Sequence, residues 1–199
     1  MMTNLKKNLN VLSTFMQSEV YTLLDAGTKT TLVNMKTELC RQYFMEIARN
    51  LHRNKYKGCY APHKAVMIIS IMELVEEGHI TTNVVYLDQE LKDKFNEVWD
   101  RTVPVGSPFV CGYANPFLYM ESEGFWKLSE DRGRADISWE SFCAFSNSQS
   151  REVIREYLKG TIANDTVSTE YRNNKPYIDW KVAEDILSVI PLLGVLTAV

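Results

Sequence analysis

A short basic segment near the end of the first third of the chain contains the residues best suited to chemistry. Five of its side chains are cationic or carry an imidazole: Arg53, Lys55, Lys57, His63 and Lys64. Tyr56 and Tyr60 lie between them, and Pro62 suits the first turn of a helix whose amides would favour an anion. Cations interleaved with aromatic rings are typical of a surface that contacts nucleic-acid phosphates. A solvated basic helix end gives the same pattern, so both interpretations stay open.

A second segment, from Asn115 to Tyr119, could form the wall of a small pocket. Pro116 fixes the backbone there and presents an apolar ring, with Asn115 before it and Phe117 after it. Aromatic side chains such as Phe117 and Tyr119 are more often core residues than ligand platforms. A purely structural role for this segment is therefore weighed beside a binding role.

Several classes of enzyme and metal site are not indicated. Nucleophile-elbow, P-loop and dinucleotide-binding glycine patterns do not occur, and the three histidines lack the H-E-x-x-H spacing of a zinc site. The four cysteines form no C-x-x-C pair, which favours reduced, largely buried thiols over a zinc ribbon or a disulfide framework. The sequence predicts no catalytic residue, no metal and no cofactor.

The composition is that of a folded protein with a polarised charge. Hydrophobic residues make up 45% of the 199 residues, enough for one domain with a substantial core. The net charge of −3 predicts no general affinity for nucleic acid, yet no acidic residue occurs from Ile47 to Met72.

The N-terminus lacks the apolar core of a signal peptide, which predicts a cytoplasmic protein. The apolar residues 186–199 are fewer than the ~20 of a membrane crossing, so a tail packed on the body or on a partner is favoured over a tail anchor.

The most apolar run, Ala61 to Val75, predicts the central helix. Pro62 marks its start and Gly78 its end, and its apolar residues lie almost all the way round, which is typical of a helix covered on several sides. A fully buried strand is the competing interpretation, but the run is long for a strand and rich in methionine.

Helical spacing of apolar residues predicts further helices on both sides. They cover the first two dozen residues as far as Asp25 to Gly27, Thr31 to Arg53, Gln89 to Arg101 after an Asp88 cap, and a segment through Ile162 that begins near Ser148 or Ser150. Other segments are predicted as a loop (54–60), a short strand or extended link (80–87), a hairpin (116–128), a strand or helix (137–145) and a loop (164–175).

Several short motifs occur in an order that resembles one family. They are Ala61-Pro-His-Lys64, Leu87-Asp-Gln-Glu-Leu91, Asn115-Pro-Phe117, Gly124-Phe-Trp-Lys-Leu128 and Ser150-Arg-Glu-Val-Ile-Arg-Glu-Tyr-Leu158. Over about residues 39–163 the chain is similar to the N-terminal domain of restriction endonucleases that usually carry an HNH nuclease domain behind it. Residues 164–199 contain no histidine, so an HNH motif is absent from them.

The resemblance implies a DNA-recognition domain related to the sulfur-binding modules that read phosphorothioate-modified DNA in bacterial defence. It implies that His63 and Lys64 hold the backbone while Pro116 lines an apolar pocket for the sulfur. A non-bridging sulfur is larger and less strongly hydrated than oxygen, so ring carbons can favour it beside phosphate-binding cations. Two positions depart from the pattern: Asn115 replaces an aromatic residue, and Tyr119 replaces a small one.

The predicted fold is a mainly helical α+β protein with a helix-turn-helix or winged-helix-like core, a small β-hairpin and flanking terminal helices. Residues 1–36 are expected to form an N-terminal helical extension, residues 37–164 the DNA-recognition-like domain, and residues 165–199 a C-terminal extension with an apolar helix.

The predicted function is a cytoplasmic reader of double-stranded DNA in a bacterial restriction or defence system, without nuclease activity of its own. Phosphorothioated DNA is the modified form that the resemblance implies. Nine residues are expected to contact DNA: Arg53, Lys55, Lys57, His63, Lys64, Asn115, Pro116, Phe117 and Tyr119. A partner nuclease and a homodimer formed through the terminal helices are the further partners considered, and no membrane is expected. The alternative is a protein-interaction or regulatory subunit that kept the fold and lost the DNA site.

Overall fold

The apolar segment after Pro62 forms a buried helix at the centre of the protein. In the computed structural model, which describes residues 2–165 and the side chains from residue 4 onward, this helix is α4 (His63–Glu76). Every residue from Ala65 to Met72 is buried. The helix ends before Gly78, whose φ of +80° is a backbone conformation that glycine adopts without strain. The predicted central helix is therefore confirmed.

The described part of the chain contains seven other α-helices. They are α1 (Met2–Met16), α2 (Glu19–Thr22), α3 (Ala26–Arg49), α5 (Gln89–Thr102), α6 (Ala114–Tyr119), α7 (Trp139–Ser146) and α8 (Ser148–Asp165). A short 3₁₀ turn, Met120–Glu123, follows α6. Asp88 caps α5 by accepting a hydrogen bond from the Leu91 amide at 2.9 Å, as its position in the sequence predicts.

The strands form two small antiparallel sheets. One is a two-stranded hairpin of β1 (Lys55–Tyr56) and β2 (Cys59–Tyr60). The other has three strands in the order β3 (Val84–Tyr86), β5 (Arg134–Ile137) and β4 (Trp126–Leu128). The fold is mainly helical α+β, as predicted. The helix-turn-helix and winged-helix arrangement stays a prediction.

The N-terminal helices differ from the prediction in their boundaries. The expected single helix is interrupted at Gln17 and Ser18, where the Ser18 hydroxyl accepts a hydrogen bond from the Tyr21 amide and starts α2. The next helix begins at Ala26 instead of Thr31, because Asp25 caps it through the Thr28 amide at 2.9 Å. It ends at Arg49, before the predicted end at Arg53.

Two predictions for the middle of the chain are wrong. The predicted loop 54–60 is the β1–β2 hairpin. The predicted hairpin 116–128 is instead helix α6 with its 3₁₀ turn, followed by β4, which pairs with β5 rather than with its own N-terminal half. Gly124 ends the helical part with a φ of +75°.

One hydrophobic core joins the N-terminal helices to the rest of the described residues. Leu9 of α1 belongs to this core together with residues of α3, α4, α5, α7 and α8. Helix α3 runs without interruption across the expected domain boundary between residues 36 and 37. Asn164 and Asp165 belong to α8 rather than to a loop, and the remaining predictions for the C-terminal extension lie outside the described residues.

Candidate nucleic-acid interface

The β1–β2 hairpin presents cations on a tight, exposed turn. Its corner residues are Lys57 and Gly58, with φ of +49° and +79°. Two successive positive φ angles are typical of the type I′ turn, whose twist matches that of the flanking strands. Lys55, Lys57 and Tyr56 are exposed, so the hairpin places two ammonium groups in solvent.

Aromatic rings hold these cations in place. The Arg53 guanidinium lies 5.1 Å from the centre of the Tyr60 ring, and the Lys55 ammonium lies 5.2 Å from the same ring. Lys57 lies 5.3 Å from the ring of Tyr56. Cation–π contacts of this kind contribute about 0.5–1 kcal/mol at exposed sites.

The charges along the hairpin are only partly compensated. Among residues 4–165, Lys55 and Lys57 form no ion pair. Arg53 donates from Nη2 to Asp165 at the end of α8, at 2.6 Å. Its other terminal nitrogen, Nη1, is buried and has no hydrogen-bond partner in the described part of the chain. A buried guanidinium N–H without a partner is unfavourable, and a phosphate oxygen that reached it would relieve this cost through a charge-assisted hydrogen bond.

A pocket of about 670 Å³ opens beside the hairpin, between the start of α4 and helix α6. We call it the hairpin pocket. Its wall combines polar and apolar side chains: His52, Arg53, Asn54, Ala61, His63, Lys64, Phe109, Asn115, Pro116, Leu118, Tyr119, Glu121 and Ser122. The structure thus brings together six of the nine expected contact residues, although they come from segments that are far apart in the sequence.

The first residues of α4 border this pocket. Pro62 stands at the N-cap, and no side chain caps the helix. His63 and Lys64, the first two helical residues, line the pocket. The uncapped amides carry the positive end of the helix dipole, which favours an anion nearby.

Lys64 is paired inside the protein. Its ammonium donates to Glu123, and the two side chains are only 13% and 3% exposed. Glu123 also accepts hydrogen bonds from the His52 amide, at 3.3 and 3.2 Å. The Ser122 hydroxyl lies 3.2 Å from the Lys64 nitrogen. The charge of Lys64 is therefore already compensated, so it is less available to a phosphate than the sequence indicates.

His63 fastens a loop to the start of α4. Its Nε2 lies 2.9 Å from the Val110 carbonyl, which can only accept, so Nε2 carries the proton. Its ring centre lies 4.7 Å from that of Trp99 and 6.0 Å from that of Phe109. The pKa of His63 lies below 6.5 because burial lowers it by more than the hydrogen bond to Val110 raises it. A neutral imidazole with its donor engaged has a structural role here.

The segment from Asn115 to Tyr119 is helical and contributes unequally to the pocket. Pro116 lies in the first turn of α6, where its missing amide is tolerated, and it is a buried residue that lines the pocket. Tyr119 is 68% exposed and Asn115 is also exposed, so both are accessible at the rim. Phe117 is fully buried, with its ring centre 5.0 Å from that of Trp126. Phe117 is therefore a core residue, and the prediction that it contacts DNA is corrected.

Sequence reasoning missed Glu123, Phe109 and Leu118 as parts of this site. Glu123 lies within the segment 116–128 that was predicted as a hairpin, and its partner Lys64 lies 59 residues earlier in the chain. No local pattern links two residues at that separation. Phe109 lies in a segment whose Gly106, Pro108 and Gly112 are typical of turns, and an aromatic side chain between such residues is a signal of packing.

No protein-family model and no curated protein matches this chain. In the described part of the chain no helix is long and apolar enough to cross a membrane. No cluster of three or more histidine, cysteine or carboxylate side chains there could hold a metal ion.

Proposed function

We propose that the protein is a reader of double-stranded DNA that contacts backbone phosphates through the β1–β2 hairpin and the hairpin pocket. The observation that carries this proposal is the placement of Lys55 and Lys57, which form no ion pair within residues 4–165, beside a pocket whose wall includes Arg53. One buried guanidinium nitrogen of Arg53 has no hydrogen-bond partner among the same residues. Cations of this kind release counterions from DNA when they meet phosphates, which gives binding that weakens with salt. The uncapped start of α4 supports an anion at the same place.

The mixed apolar and cationic wall of the hairpin pocket also supports recognition of a phosphorothioate. Apolar groups from Ala61, Phe109, Pro116 and Leu118 lie in the same wall as Arg53. A sulfur atom gains more than an oxygen from such apolar contacts, while the guanidinium interacts with the remaining phosphate oxygen. Together with the motif order in the sequence, this supports a module of a bacterial restriction or defence system that depends on a partner nuclease for cutting.

A fluorescence-anisotropy titration tests the proposal. One short duplex, plain or with a phosphorothioate, is titrated with the full chain at two salt concentrations. We expect salt-sensitive binding that is tighter for the sulfur-containing duplex. The Lys55→Glu/Lys57→Glu variant should bind more weakly, and the slope of log K against log salt should fall by about 2 because two phosphate contacts are lost.

The matched control is Lys6→Glu/Lys7→Glu. Both lysines are exposed on α1, and the structure gives neither an ion pair within the described residues. The two double variants have the same net charge, but only the hairpin variant should lose affinity. Equal losses in both would show that binding follows total charge, and no binding to either duplex at low salt would overturn the proposal.

A second function, docking to another protein, is favoured by the apolar surface of the N-terminal helices. Val11, Val20, Leu23 and Met35 are each more than half exposed. Light scattering of the full chain distinguishes this function from the first, because a complex between copies should dissociate in a Val20→Glu/Leu23→Glu variant. Val110→Glu is the control, since Val110 is 83% exposed on a different surface. A monomer before and after substitution would remove the support for self-association.

A further inference from the structure

Two cysteines from distant parts of the sequence meet between α3 and α7. Cys40 of α3 and Cys143 of α7 are both free thiols, and their side chains interact directly. Cys40 is 1% exposed, whereas Cys143 is half-buried and reachable from solvent. One thiol is thus protected and the other is accessible.

The surrounding residues fix the two helices on which the thiols lie. Phe44, one turn after Cys40 on α3, meets Phe145 of α7 with ring centres 4.6 Å apart in an edge-to-face arrangement. Lys36 of α3 and Glu140 of α7 are the charged groups near the pair, one turn before Cys40 and Cys143 respectively. The thiols are therefore held together by a packed helix pair.

We propose that Cys40 and Cys143 form a redox-active dithiol in which Cys143 is the residue that reacts with a hydroperoxide and Cys40 is the resolving thiol. This role is independent of DNA binding, since neither cysteine lines the hairpin pocket.

The acid–base properties of the pair agree with this division of roles. The pKa of Cys143 is lowered to about 7, chiefly by the contact with Cys40 and further by Lys36. Burial and Glu140 act in the opposite direction. The same contact, burial and Glu140 raise the pKa of Cys40, while Lys36 lowers it. Contact between the thiols favours ionisation of one sulfur of the pair, and solvent and peroxide reach the sulfur of Cys143 more easily than the buried sulfur of Cys40.

The proposed reaction has two steps. The Cys143 thiolate attacks the terminal oxygen of the hydroperoxide, an S–O bond forms, the O–O bond breaks, and the alkoxide leaves and takes a proton as an alcohol. The Cys40 sulfur then attacks the Cys143 sulfenic acid. An S–S bond forms, the S–O bond breaks, and hydroxide leaves and takes the Cys40 proton as water. The two thiols lose two electrons, and the hydroperoxide gains them.

The experiment uses the full chain with Cys59→Ser and Cys111→Ser, so that only Cys40 and Cys143 remain in the sequence. After treatment with an equimolar amount of hydrogen peroxide and unfolding, we expect both thiols to be lost to a thiol reagent. Peptide mass mapping should show one cross-linked species that joins residues 40 and 143 and has lost two hydrogens. Thiols that survive this treatment, or oxidation without the cross-link, would overturn the proposal.

Single substitutions in that background test the roles. With Cys40→Ser, the sulfenic acid on Cys143 should persist and be trapped by dimedone. With Cys143→Ser, Cys40 should resist oxidation by peroxide as long as the chain is folded. Circular dichroism verifies that this variant is folded. If Cys40 is oxidised at the same rate without Cys143, the assignment of the reacting sulfur is wrong.

Discussion

At the scale of single residues, Lys64 and Glu123 form an ion pair inside the protein beside the candidate site. Removing one charge of a buried pair leaves the other without compensation, which costs about 3–5 kcal/mol. We expect Glu123→Gln to lower the free energy of unfolding by about 3 kcal/mol, because the amide keeps the shape and can still accept from the His52 amide. Urea unfolding followed by circular dichroism measures this loss.

A double-mutant cycle separates the ion pair from other effects of the substitution. Lys64→Met removes the ammonium and leaves the Glu123 carboxylate buried, so it should also destabilise the protein. The Lys64→Met/Glu123→Gln variant contains no buried charge at this position and should recover most of the stability lost by either single variant. Losses that simply add would contradict a coupled pair.

The His63 imidazole gives the folded state a defined response to pH. Its pKa is lowered from 6.5, so between the folded value and 6.5 the unfolded chain binds more protons than the folded one. The free energy of unfolding should therefore rise with pH across that window and level off above 6.5. Urea unfolding at a series of pH values below and above 6.5 measures the dependence. His63→Gln should reduce it, and an unchanged dependence in that variant would exclude His63 as its source.

At the scale of elements, the β1–β2 hairpin depends on the backbone of its turn. Gly58 has a φ of +79°, and a Cβ built there meets no atom within 4 Å, so a substitution acts through backbone strain alone. Gly58→Ala should destabilise the hairpin by about 1 kcal/mol, which corresponds to roughly fivefold faster amide exchange for hairpin residues such as Ala61. The Ala61 amide is the relevant probe because it donates to the Asn54 carbonyl at 2.8 Å.

Gly112 provides the control for this prediction. A Cβ there also meets nothing within 4 Å, but its φ lies outside the left-handed region. Gly112→Ala should therefore leave hairpin exchange unchanged. If both substitutions accelerate exchange equally, the effect does not come from the turn.

The same hairpin shows why some elements could not be predicted from the sequence. Asn-Gly and Asp-Gly are the strongest signals for a type I′ turn, and this corner is Lys57-Gly58 instead, so a loop was the natural prediction. For the segment 116–128 the error was the reverse, because strands were predicted where the chain forms a helix and a 3₁₀ turn. Its alternating aromatic residues fit a strand, but Pro116 is equally suited to the first turn of a helix, and pairing of β4 with β5 is decided by tertiary contacts.

Elements with long periodic patterns and a clear cap were predictable. Asp88 and the apolar spacing of α5 gave its bounds to within one residue, and Pro62 and Gly78 bracketed α4. The candidate site was predictable only in part, since the basic hairpin and Pro116 stood out as residue types. The compensation of Lys64 by Glu123 and the burial of Phe117 could not be read from the sequence, because both depend on residues brought together by folding.

At the scale of the whole molecule, the N-terminal helices and the rest of the described chain share one core. Helix α3 is continuous across the expected boundary after residue 36, and Leu9 of α1 is only 2% exposed within the common core. A helix that merely lay on the surface as a separate extension would unfold without affecting the remainder. Continuity of α3 and burial of Leu9 instead predict cooperative unfolding of both parts.

Leu9→Ala tests this cooperativity. Truncating a buried leucine lowers the free energy of unfolding by about 2–5 kcal/mol. Every tryptophan lies at residue 99 or later, so tryptophan fluorescence reports on the part of the chain outside the N-terminal helices. If the two parts share a core, Leu9→Ala should nevertheless lower the urea midpoint of this fluorescence. Leu23→Ala is the control, because Leu23 is 85% exposed and should have almost no effect. In Leu9→Ala, the fluorescence midpoint could stay unchanged while the helical signal of circular dichroism is lost at lower urea. That result would show that the N-terminal helices unfold on their own, and it would support the predicted boundary near residue 36.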